Sequence, residues 1–126
     1  MAVETLNEDN FDETVENNDM VVVDFWAPGC GPCQSVDTAF REVASRFPGV
    51  VFAQVNVADN PELAQRLGVK SVPTIMLFRE QIILYKEHGA VPAGGLERVV
   101  HQAGQADMDQ IRKDLEAQEA QGDGQG

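Results

Sequence analysis

The stretch from Met20 to Cys33, MVVVDFWAPGCGPC, constrains the chain more than any other. Its first part, Met20 to Ala27, is apolar except for one carboxylate, Asp24. A strand can be apolar on both sides only where both sides are covered, so this run predicts a central strand of an α/β sheet. Beyond it, Val36, Phe40, Val43, Ala44 and Phe47 recur at helical spacing. That stripe predicts a helix that starts at Cys-Gly-Pro-Cys and stops before Pro48-Gly49.

The remaining elements follow in order. Residues 5–17 predict a short helix with Asn7 as N-cap and Phe11 and Val15 on one face. Val50 to Val57 reads as a second buried strand, and Asn60-Pro61-Glu62 and Gly68 frame a helix over 61–67. Strand, helix, strand in this order implies parallel pairing through a crossover. Thr74 to Phe78 and Ile82 to Lys86, joined by Arg79-Glu80-Gln81, predict an antiparallel hairpin. Pro92 opens a last core helix with Leu96, Val99, Val100 and Ala103, although Gly94 and Gly95 weaken its first turn.

Length and composition bound the rest. The 126 residues suffice for one core, and the 43% apolar share is that of an ordinary globular protein. The division expected is a folded domain over 1–104 and an acidic, Gln- and Glu-rich tail over 105–126. That tail is expected to be partly helical over 105–120 and disordered over 122–126. No apolar run approaches the ~20 residues of a membrane span, and MAVETLNEDN does not read as a secretory signal. A cytoplasmic location is therefore expected, where a Cys pair serves catalysis or metal binding more often than it staples a fold. With 21 acids against 9 bases, nucleic acid and anionic membrane are not the expected partners. A solvated acidic surface that keeps the chain soluble accounts for the charge.

Cys30 and Cys33 are the only cysteines. At a helix start, Cys30 would face unpaired backbone N–H groups and the positive end of the helix dipole. Such surroundings bring a thiol pKa from ~8.5 to roughly 3.5–7.5, which makes Cys30 the nucleophile and the more buried Cys33 the resolving thiol. Pro32 lacks only an N–H that the first turn leaves unpaired in any case. Asp24, desolvated by its strand, is expected to titrate high and to act as general base for Cys33, unless it sits on an exposed sheet face. Two alternatives remain for the cysteines. Zinc needs four ligands, and only His88 and His101 are left to help. A structural disulfide of this span would close little loop entropy.

The segments VVVDFWAPGCGPC, VNVADNPELAQRLGVKSVPTIMLF and the later HGA before a helix, in this order over about residues 5–103, resemble the thioredoxin family. The resemblance implies a thioredoxin fold of the α/β class, a central mixed sheet of four to five strands flanked by about four helices. It implies a cis Val72–Pro73 bond, and a groove for an extended substrate segment formed by Trp26, Gly29, Gly31, Pro32, Val72, Pro73, Gly89 and Ala90. Without it, a trans turn at Pro73 would be the expectation. The activity implied is protein-disulfide reduction through a redox-active Cys30–Cys33 pair, with no bound cofactor. Disulfide-containing proteins would be the substrates, a thioredoxin reductase the electron donor, and the protein a monomer.

Four residues depart from the family pattern. Gly29 stands where a Trp is usual, Gln34 and Gln54 where Lys is common, and Thr38 where a Pro kinks the helix. Asp24 is thus expected to lack an ion partner and to titrate higher than is typical, and the helix to run straighter. Two functions compete with that of a general reductase: a dedicated electron donor to one partner, and a binding module whose groove or tail matters more than turnover.

Overall fold

The computed structural model describes residues 3–123. Its elements are β1 (Glu4–Leu6), α1 (Phe11–Asn17), β2 (Met20–Trp26), α2 (Gly31–Ala44), β3 (Val51–Asn56), α3 (Pro61–Arg66), β4 (Thr74–Arg79), β5 (Ile82–His88), α4 (Ala93–Gly104) and α5 (Met108–Asp123). The five strands form one mixed sheet in the order β1-β3-β2-β4-β5. β1, β3 and β2 run parallel, and β4 and β5 are antiparallel additions on the other side of β2.

Alternation along the central strand sorts the core into two layers. Val21, Val23 and Phe25 face the side of α1 and α3, where they pack with Phe11, Val15 and Leu63. Met20 and Val22 face the opposite side, with Val36, Phe40 and Val43 of α2 and Leu96, Val100 and Ala103 of α4. Aromatic pairs fill each layer: Phe11 meets Phe78 edge-on at 5.7 Å, and Phe40 meets Phe52 at 5.2 Å. Asp24 continues the Met20–Val22 alternation, so its side chain lies beneath α2.

Three expectations need correction. The helix expected over 5–17 begins only at Phe11, and residues 4–6 instead form β1, in parallel register with Ala53, Gln54 and Val55. Asn7 caps no helix; its Oδ1 closes the intervening turn by accepting from the N–H groups of Asp9 and Asn10. Asn60 stands at the N-cap of α3 without capping it, because its Oδ1 accepts from Glu8 N–H and its Nδ2 donates to the Asn56 carbonyl. Its side chain ties the β1–α1 connection to the end of β3.

The C-terminal segment is anchored at its start. Met108 is buried, and Arg112 bridges Glu80 at the β4–β5 turn and Asp109 on its own helix. α5 reaches Asp123, so residues 122–123, expected to be disordered, are helical, and 124–126 of that stretch lie outside the described residues. Among the described residues no helix is long and apolar enough to cross a membrane.

Candidate active site

The site is built where β2 ends and α2 begins. Gly29 adopts φ +80°, in the left-handed region that glycine occupies without strain, and turns the chain into the helix. A Trp at this position would be strained in this backbone. Cys30 is the N-cap of α2, with extended backbone, and its Sγ accepts a hydrogen bond from Cys33 N–H at 3.2 Å. The two sulfurs form a disulfide across a Cα–Cα distance of 5.3 Å. Cys30 is half-buried and Cys33 buried, while Gly31 and Pro32 between them are exposed.

Asp24 lines the same cleft as the two cysteines and has no solvent exposure. The exposed-face alternative for this residue is therefore excluded. Burial pushes its carboxyl up from 3.8 to about 6, with nearby Asp37 adding to the rise and a Gln54 hydrogen bond and Arg41 opposing it. Gln54 lies directly across from Asp24 in the β2–β3 register, and its Nε2 donates to Asp24 Oδ2 at 3.1 Å. Thus Asp24 has an amide partner where an ion partner is absent. Its other oxygen, Oδ1, is buried with no hydrogen-bond partner.

Two residues that the sequence pattern did not single out complete the arrangement. Asp37 and Arg41 follow Cys33 at i+4 and i+8, so all three share one stripe of α2. Gln54 Nε2 also donates to Asp37 Oδ1 at 2.6 Å, and its Oε1 accepts from Arg41 Nη2 at 3.1 Å. Arg41 Nε closes the ring on the Asp37 carboxylate at 3.0 Å. The stripe was readable, since one cysteine followed by two opposite charges at that spacing marks a helix face shared with the dithiol. Together with Asp24, Trp26, Gly29 and the two cysteines, these residues line an open cleft of about 520 Å³.

The other residues expected to form a groove gather at the same end of the sheet. Thr74 pairs with Phe25 and with His88, so the start of β4 and the end of β5 lie beside the end of β2. The Val72–Pro73 bond just before β4 is cis, and Gly89 N–H donates to the Pro73 carbonyl at 2.8 Å. Val72 is half-buried, Pro73 buried and Ala90 exposed. Thr38, at the family's kink position, donates from its hydroxyl to the Gln34 carbonyl, and α2 is unbroken from Gly31 to Ala44. His88 and His101 sit on different elements, with His88 Nδ1 3.0 Å from the Thr74 hydroxyl. Among the described residues no group of three or more His, Cys, Asp or Glu is placed to hold a metal ion.

A mixed sheet that presents a Cys pair at the start of a helix, in one cleft with a buried acid, defines the class of thiol–disulfide oxidoreductases. Comparison with known proteins narrows the class. The sequence model described as Thioredoxin matches residues 2–102. The putative thioredoxin 2 of Streptomyces coelicolor is 42% identical over 116 residues, which are 92% of this chain and 87% of that protein. Thioredoxin of Porphyra purpurea is 36% identical over 103 residues, or 80% of this chain and 96% of that one. Among solved structures, chloroplastic thioredoxin z superposes with a TM-score of 0.77 at 25% identity, covering 84% of this chain and 97% of its own. Mitochondrial thioredoxin 3 from Saccharomyces cerevisiae, in its oxidized form, gives 0.73 at 29% identity, covering 79% and 94%. The chain belongs to the thioredoxin family. It is a dithiol–disulfide oxidoreductase, of a family that acts on disulfide substrates and is generally reduced by thioredoxin reductase.

Proposed function

We propose that Cys30 is the attacking thiolate of a protein-disulfide reductase, Cys33 the resolving thiol and Asp24 its general base. The observation that carries this reading is the position of Cys30 Sγ: it accepts an N–H of the first turn of α2, while Cys33 and Asp24 line the same cleft behind it. That donor and the helix dipole favour a charged sulfur at Cys30 over one at Cys33. In the reduced protein the Cys30 thiolate attacks one sulfur of a substrate disulfide. A Cys30–substrate disulfide forms and the other substrate sulfur leaves as thiolate. Asp24 accepts the Cys33 proton, and the resulting thiolate attacks Cys30 Sγ. The Cys30–Cys33 disulfide closes, the second substrate thiolate departs, and two electrons have passed to the substrate. A thioredoxin reductase returns two electrons to the pair, and no bound cofactor takes part.

Trp26, Gly29, Gly31, Pro32, Val72, Pro73, Gly89 and Ala90 form the groove in this reading, and an extended substrate segment pairs with the backbone beside Pro73. Supporting it is the gathering of these residues at one end of the sheet. Residues 1–104 carry the activity. The anchor of α5 at the β4–β5 turn lies at the far end of the sheet, away from the dithiol, which fits residues 105–126 being an appendage. The protein works as a cytoplasmic monomer on disulfide-containing proteins, and neither nucleic acid nor membrane is a partner.

The test is insulin reduction with dithiothreitol, together with a Cys33→Ser trap. Cys30→Ser is expected to abolish turnover, and Cys33→Ser to accumulate a mixed disulfide on Cys30. Equal, slow alkylation of both thiols at neutral pH, with no exchange onto insulin, would overturn the proposal in favour of a binding module. Many trapped proteins indicate a general reductase, and one or two a dedicated donor.

A further inference from the structure

The amide of Gln54 has only one orientation that its neighbours accept. Its Nε2 meets two carboxylates, those of Asp24 and Asp37, and its Oε1 meets the Arg41 guanidinium. Turned over, it would set a carbonyl oxygen against both carboxylates and an NH2 against a cation, losing three hydrogen bonds. Arg41 is held for this task by the Asp37 carboxylate, one turn earlier on α2, at 3.0 and 3.2 Å. The side chains of both remain about half exposed, at 54% and 41%, so neither is fixed by core packing.

From this geometry we propose that Arg41 is a positioning residue for the dithiol reaction: it locks the Gln54 amide with its N–H toward Asp24. Gln54 then occupies Oδ2 of Asp24 and leaves the buried Oδ1 as the free acceptor atom within the cleft that Cys33 lines. This inference rests on the reading of Asp24 as the base. The titratable and charged groups that share the cleft with Asp24 are Asp37 and Arg41 of α2, beside the disulfide-bonded Cys30 and Cys33, and Gln54 of β3 is its hydrogen-bond partner. Opposite Asp24 on β4 stands Ile75, which does not titrate. Without Arg41 the amide loses the bond to its carbonyl, and once Asp24 is protonated only Asp37 opposes turning that carbonyl to it. The turned carbonyl then accepts from the protonated carboxyl and stabilises the neutral acid.

Carboxyl NMR titration of Asp24 in the oxidised protein decides the matter. Arg41→Ala is expected to raise the Asp24 midpoint by about half to one pH unit, and Arg41→Lys, which can still donate to Oε1, to restore it. Gln54→Leu is expected to raise it too, and Arg41→Ala then to add less in the Gln54→Leu background, where only its through-space charge is lost. An unmoved midpoint in Arg41→Ala overturns the proposal. So does an equal shift from Arg41→Ala in the Gln54→Leu background, which would make Arg41 a through-space charge. The reading of Asp24 as base is tested separately, by the pH profile of insulin reduction in Asp24→Asn. Should that profile match the parent's, the base assignment fails while the titration still decides what Arg41 does.

Discussion

At the scale of single residues, Asp24 is where stability and chemistry oppose each other. Its folded-state pKa of about 6 lies above the ordinary value of 3.8 that it takes in the unfolded chain. Between those values the folded state holds more protons than the unfolded one, so this group's contribution to stability falls as pH rises from about 4 to 6. Above that window the ionised, buried carboxylate costs about 3 kcal/mol, following 1.36 kcal/mol per pKa unit. Asp24→Asn is therefore expected to stabilise the fold by ~2–3 kcal/mol at pH 7 and to give no gain below about pH 4. Urea unfolding at the two pH values checks it. In the same variant the resolving step should slow by at least ~10² if Asp24 is the base. Asp24 was legible in the sequence because a lone acid in an apolar strand must be accommodated somehow. Asp37 and Arg41 become legible only when the cysteine at the head of their stripe is counted with them, because polar residues on a helix are otherwise ordinary.

At the scale of elements, what the sequence hid was whatever depends on a partner. β1 has three residues and one buried side chain, Leu6, so it carries no pattern of its own and exists through its pairing with β3. The longer elements announced themselves by periodicity: β2, β3 and the hairpin fall within a residue or two of expectation, while α2 ends at Ala44, three residues short of the Phe47 that its stripe included. The junction of α4 and α5 depends on a distant arginine. Arg79 Nη1 donates to the carbonyls of Ala103, Gly104 and Ala106 at 2.8–3.2 Å, satisfying groups that a helix end leaves unpaired. Arg79→Ala is expected to cost about 2–3 kcal/mol, with amide exchange rising first over 103–112. The hairpin offers an opposite change. Its two turn residues, Glu80 and Gln81, both hold positive φ, at 51° and 70°. Glu80 is bonded to Arg112, but Gln81 is exposed and has no such duty. Gln81→Gly should raise stability by roughly 1 kcal/mol, read as a higher urea midpoint with an unchanged slope.

At the scale of the whole molecule, charge is the property most able to affect which disulfides are reached quickly. The net charge of −12 is carried by the whole 126-residue chain, and the cleft beside the disulfide holds two carboxylates, Asp24 and Asp37, against one cation, Arg41. Among the described residues no lysine lines that cleft, since both positions where the family often carries one, 34 and 54, are glutamines. A field of one sign around an open site raises the local concentration of oppositely charged partners and the rate of encounter by ~10-fold or more, and salt removes the effect. A short disulfide peptide flanked by lysines should therefore be reduced at least ~10-fold faster than its glutamate-flanked twin at ~20 mM ionic strength. The two rates should converge by ~0.5 M, where the Debye length is only a few ångströms. Stopped-flow Trp26 fluorescence across a salt series measures both. If the ratio stays fixed as salt rises, discrimination comes from contacts within the groove. If there is no ratio at all, the acidic surface serves solubility alone.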